Sequence, residues 1–163
     1  MKNIYGLLLV LFLSACGSDG SDSKDISDNN PSVEVVADVL KVVAKGQEWS
    51  YLFSVTLKSD DTGCSQYADW WEVLNEDGNL IYRRILWHPH TKTQPFERIS
   101  IEPIKIKETD IVYIRAHMNL RGYSGAIFKG SVAEGFFEDK SPPKFSQEIE
   151  ITEPLPSRCD REF

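Results

Sequence analysis

Residues 49 to 58 read Trp49-Ser50-Tyr51-Leu52-Phe53-Ser54-Val55-Thr56-Leu57-Lys58, with a large apolar side chain at every second position: Trp49, Tyr51, Phe53, Val55 and Leu57. A period of two is that of a β-strand whose successive side chains point to opposite faces, so one face meets a core and the other meets water. Working outward, Val33 to Val43 is rich in β-branched residues and ends at Lys45-Gly46, which predicts a first strand and its turn. On the other side, Trp70 to Leu74 and Leu80 to His88 flank Asn75-Glu76-Asp77-Gly78, a hairpin signal ending in Asp-Gly. Phe96 to Ile106, interrupted by Pro103, then Ile111 to Met118 and Gly125 to Val132 complete about seven strands. No long segment has the 3.6-residue period of a helix, so the fold class is all-β, and this spacing suggests a single β-sandwich.

The pattern resembles the immunoglobulin-like and fibronectin type III-like sandwiches. Trp71 falls on the third strand, where such folds bury a tryptophan, and Tyr113 near the start of the sixth, where a tyrosine corner sits. The cysteines depart from that pattern, because Cys64 lies in a loop and Cys159 in the C-terminal tail that begins near residue 133. If the strands alternate up and down, that tail must travel back to bring Cys159 to Cys64. The alternation of Phe145 to Ile151 is enough for a returning edge strand, punctuated at its ends by Pro142, Pro143, Pro154 and Pro156.

The chain has 163 residues, 41% hydrophobic and 26% charged, which is one globular domain and excludes a fibrous or disordered chain. Its net charge of -7, with no basic cluster beyond Arg83-Arg84, argues against nucleic acid as a partner. Residues 1 to 15 carry one base, Lys2, an apolar run from Leu7 to Leu13 and then small residues, which is the design of a secretory signal peptide. Residues 16 to 32 hold one large apolar residue, Ile26, among Gly, Ser, Asp and Asn, and are expected to be a flexible tether for the sandwich of residues 33 to 163.

Leu13-Ser14-Ala15-Cys16 resembles the lipobox of bacterial lipoprotein precursors. The resemblance implies cleavage before Cys16, a diacylglyceryl group on its sulfur, a fatty acyl chain such as palmitate on the new amine, and a membrane partner reached through that lipid. Gly17 stands where inner-membrane-retained members often carry Asp, which implies the outer membrane of a bacterial cell envelope. In that oxidising compartment Cys64 and Cys159 are expected to form a disulfide; two free thiols or a metal thiolate pair are the rival readings.

With alternating strands, the loops after strands two, four and six emerge at one end, and this end collects the chemistry. It carries Tyr67, Trp70, Trp87, Arg121 and Tyr123, the aromatic and arginine set of binding surfaces, with Gln94 beside them. That composition suits an envelope protein or a glycan as ligand; the alternative is that the tryptophans only cover the ends of the core. All three histidines, His88, His90 and His117, lie at or near the same end. If His88-Pro89-His90 continues as a strand, two imidazoles share a face and, with His117, could hold zinc or copper. If Pro89 imposes a polyproline turn, the rings splay by about 120° and only cap the strand. No Gly-x-Ser-x-Gly, P-loop, His-Glu-x-x-His or EF-hand spacing occurs, so no motif names a reaction or a cofactor. The stretch from Tyr67 to Val73, with Asp77-Gly78, His88-Pro89-His90 and Gln94-Pro95-Phe96, is similar to exported bacterial proteins of unassigned activity over roughly residues 64 to 125. The expectation is therefore a lipid-anchored, non-enzymatic binding or structural module, with metal binding as the alternative.

Overall fold

The alternation of residues 49 to 58 builds strand β2 (Ser50–Ser59), whose Tyr51, Phe53, Val55 and Leu57 are buried while Leu52 and Lys58 face water. Burial of each such side chain stabilises the fold by roughly 1.5–3 kcal/mol. The computed structural model describes residues 34–160, within the compact unit Val33–Phe163. The signal-peptide and tether readings of residues 1 to 32 lie outside the described residues.

The other strands are β1 (Ala37–Gln47), β3 (Ala68–Asn75), β4 (Leu80–Ile85), β5 (Phe96–Ile99), β6 (Val112–Met118), β7 (Ile127–Ser131) and β8 (Gly135–Asp139). They form two antiparallel sheets, β1-β2-β5 and β4-β3-β6-β7-β8, so the fold is an all-β sandwich. Between the sheets Phe53, Val55 and Leu57 pack with Trp71, Val73, Ile114, Ala116 and Met118. Trp71 is fully buried on the third strand, where the pattern put it. As the fibronectin-like order requires, β3 separates β4 from β6.

Five local expectations are corrected. Trp49 does not join the buried face: it sits at φ 66° in the two-residue turn between β1 and β2 and is 53% exposed. Gly46, read as the turn, lies inside β1, where a Cβ would stand 2.3 Å from the Ser50 carbonyl oxygen, so it is there for close backbone approach. An eighth strand follows the seventh through the Ser131–Gly135 turn, where the Ser131 hydroxyl accepts the Glu134 N–H at 3.2 Å. The segment read as a returning strand is a short 3-10 helix, Gln147–Ile151, capped by the Ser146 side chain. Phe145 and Ile149 cluster with Leu74 and Tyr113, a four-residue spacing that a strand and a helical turn both allow, and the Ser146 cap on the Glu148 N–H decides for the helix. Tyr113 accordingly packs edge-on against Phe145 on the outer face of the sheet, rather than closing a tyrosine corner.

This tail explains why β3 and β6 are buried at almost every position. Their outward side chains, which in an open sandwich would be wet, lie under residues 145 to 152.

Candidate functional site

The three loops read as one end do come together, and Asp61 ties them. Its Oδ1 accepts the Ser59 hydroxyl at 2.7 Å and the Ala68 N–H at 2.9 Å, and its Oδ2 accepts the His90 N–H at 2.7 Å. Gln94 completes the junction: its Oε1 accepts the Ser59 N–H at 3.0 Å and its Nε2 donates to the His90 carbonyl at 3.0 Å. Asn119 ties in the third loop, accepting the Tyr67 N–H at 3.1 Å and donating to the Cys64 carbonyl at 3.0 Å. Asp61→Ala orphans backbone N–H groups on two loops, and each buried orphan costs about 1–3 kcal/mol. A loss of unfolding free energy of that order, seen in urea as a lower midpoint with an unchanged slope, is the expected result of equilibrium unfolding. Gln94, singled out as a binding residue, is thus occupied in holding the loops.

Charged residues crowd the covered outer face of the five-stranded sheet. Glu72 is wholly buried; its Oε2 accepts Arg83 Nε at 2.8 Å and Nη2 at 2.6 Å, and its Oε1 accepts Arg115 Nε at 2.8 Å. The register sets this up, since Glu72 stands opposite Arg83 on β4 and Arg115 on β6. Arg83 also donates to the carbonyls of Ile149 and Thr152 at 2.7 and 2.5 Å, and so holds the tail down. Its guanidinium lies 4.5 Å over the ring of Trp70, on which His117 also stacks at 3.6 Å. Arg115 is held between rings, 3.4 Å from the centroid of Tyr123 and 4.8 Å from that of Phe145.

His117 has a carboxylate at each ring nitrogen: Asp69 Oδ1 at 2.6 Å from Nδ1 and Glu150 Oε1 at 3.1 Å from Nε2. An imidazolium, which donates from both nitrogens, satisfies this arrangement. Burial pushes the Asp69 carboxyl above its ordinary value, opposed by its bond to His117. Burial also raises the Tyr67 phenol to about 12, helped by the nearby charges of Asp69 and Asp61, and it raises Tyr123. An Asp-His pair of this kind orients the base in nucleophilic catalysis, but here the second nitrogen faces a carboxylate and not a hydroxyl or thiol.

The histidines do not converge. His88 and His90 lie together with ring centroids 4.5 Å apart, and His90 stacks on Phe96 at 3.6 Å. His117 is committed to Asp69 and Glu150. Among the described residues no group of three His, Cys, Asp or Glu side chains is arranged to hold a metal ion. Cys64 and Cys159 are joined as a disulfide, with Cα atoms 5.8 Å apart.

Of the proposed binding residues, Tyr67 and Trp70 are buried, and Trp70 donates from its indole to the Tyr123 hydroxyl at 3.3 Å. Arg121 and Tyr123 line a groove of about 820 Å³ between the loop after β6 and the tail. Gly122, at φ 70°, lets the chain turn sharply there and pair with Met118 in both directions. Sequence reasoning missed two further cations of this groove, Arg115 and Lys144. Arg115 carried a signal, a charge flanked by Ile114 and Ala116 on a mostly apolar strand; Lys144 carried none.

The fold and site define a β-sandwich with a charged outer face sealed by its own C-terminal tail and a polar groove at the rim of that seal. No protein-family model matches the chain. No solved structure matches it either. Among curated proteins it is similar to one from Halomicrobium mukohataei named "Putative lipoprotein", 37% identical over 115 residues, or 66% of this chain and 55% of the relative. The chain thus spans about half the length of the curated relative it matches.

Proposed function

We propose that the protein is a lipid-anchored component of the cell envelope whose sandwich is a non-enzymatic binding module. The Leu13-Ser14-Ala15-Cys16 lipobox and the name of the relative support the anchor. Among the described residues no helix is long and apolar enough to cross a membrane, so the lipid on Cys16 supplies the attachment in this reading. Gly17 after the lipidated cysteine favours the outer membrane as destination. The observation that carries the binding role is the groove: its volume of about 820 Å³ lies within the range of small-ligand sites, and a tail bolted at its far end by the disulfide walls it.

The anchor is tested by Cys16→Ser in the full precursor. Labelled palmitate is expected to enter the parent and not the variant, and the variant should leave the membrane fraction. Equal labelling of the two would reject the anchor at Cys16.

A further inference from the structure

The groove beside the tail carries a charge opposite to that of the molecule. The chain is acidic overall at -7, yet Arg115, Arg121 and Lys144 line this groove against a single carboxylate, Glu150, whose Oε1 is taken up by His117. Arg121 and Lys144 are exposed, and their side chains make no ion pair or hydrogen bond among the described residues. Cations without partners in a concave site raise the local concentration of anions.

Arg115 differs from those two in being built in. Its side chain is 6% exposed, and its guanidinium is fixed by Glu72 on the Nε side and by the nearby rings of Tyr123 and Phe145. Nη2 is buried 2.8 Å from Glu72 Oε1 but makes no hydrogen bond, and none is made by Nη1 among the described residues, while the side chain lines the groove. A guanidinium held in one orientation has already lost its rotamer freedom, so an anion meeting it has less ordering to offset. Leu120 and Phe145 give the same groove an apolar wall, and Gln147 a polar one, which suits a compact body attached to the charge.

We propose that this groove binds a small ligand bearing a carboxylate or a phosphate, such as an acidic sugar unit, with the anion on Arg115, Arg121 and Lys144. The proposal rests on the binding-module reading and names its ligand chemistry. Losing two of the three cations should weaken binding by at least about tenfold.

The test uses the full lipidated chain in neutral detergent and isothermal titration with three probes: inorganic phosphate, galacturonate and galactose. Phosphate and galacturonate separate the two sources of the anion, and galactose is the same ring as galacturonate without its charge. At least one anion is expected to bind, more weakly as salt rises, and about tenfold or more weakly in Arg121→Glu/Lys144→Glu with the melting temperature unchanged. Galactose binding as well as galacturonate, abolished by a bulky Gly122→Trp, would overturn the anion preference and leave the binding module standing. No binding of any probe at 10 mM, a concentration of about 10⁻² M chosen to reveal even weak sites, would overturn both. Anion binding unaffected by the double charge reversal would overturn the assignment to this groove.

Discussion

Glu72→Ala should lower the stability of the protein by roughly 3–5 kcal/mol, because it removes the shared partner of two buried guanidiniums. The carboxylate is fully buried and accepts three bonds of 2.6–2.8 Å from Arg83 and Arg115. Without it the two cations face each other across the space it filled, in surroundings that screen them poorly. Arg83 keeps its bonds to the carbonyls of Ile149, Thr152 and Pro154, but Arg115 keeps only the rings of Tyr123 and Phe145. The cost therefore falls mainly on Arg115, and a second substitution there should recover part of it. Glu72→Leu with Arg115→Met replaces an ion pair by apolar side chains of similar bulk, an exchange that is often neutral. In a domain of this size the single variant should melt roughly 10–20 °C lower, and the double variant should regain at least half of that fall. A Glu72→Ala protein melting within about 2 °C of the parent would show that the buried charges are not coupled through Glu72.

The same residues show what alternation could and could not reveal. A period of two announced the face of β2 that carries Phe53, Val55 and Leu57, and the Asp-Gly signal announced the turn at Gly78, because strand period and turn chemistry are local properties. Alternation alone could not say that Tyr113, Arg115 and His117 on β6 are covered. What covers that face is the tail some thirty residues further on, and no local period reports a distant cover. The tail itself was misread because Phe145 and Ile149 fit two periods at once over so short a run, and the Ser146 cap decides for the helix. A sequence clue to the covered face did exist. Glu72 stands between Trp71 and Val73 and Arg115 between Ile114 and Ala116, charges amid strands that otherwise read as core, and buried charges come paired. At the binding end, Arg121 and Tyr123 were legible as an exposed arginine and aromatic on a loop, whereas Lys144 joins them only through the path of the tail.

That path is fixed at its end by the disulfide, and Cys64→Ser/Cys159→Ser should cost about 2–5 kcal/mol. The bond joins residues 95 apart in sequence, a long loop for which chain entropy predicts an effect near the top of that range. The loss should not be spread evenly. Upstream of Cys159, Arg83 and the buried Ile149 still grip the tail, so residues 145 to 152 have their own reasons to stay. Downstream of Pro154, the described tail has the disulfide and the Asp160 N–H bond to the Trp87 carbonyl at 2.5 Å. Hydrogen exchange in the double variant should therefore show full loss of protection at Asp160 and partial loss at Thr152, whose N–H bonds to the Ile149 carbonyl at 3.1 Å. The β3 and β6 amides, inside the five-stranded sheet, should weaken only by the change in global stability. Galacturonate affinity should fall in parallel, since Pro143, Lys144 and Phe145 form one wall of the groove and are positioned by the tail. A double variant with unaltered melting temperature and unaltered exchange at Asp160 would mean that Arg83 and Ile149 hold the tail alone. In that case the disulfide would be dispensable both to the cover and to the groove it walls.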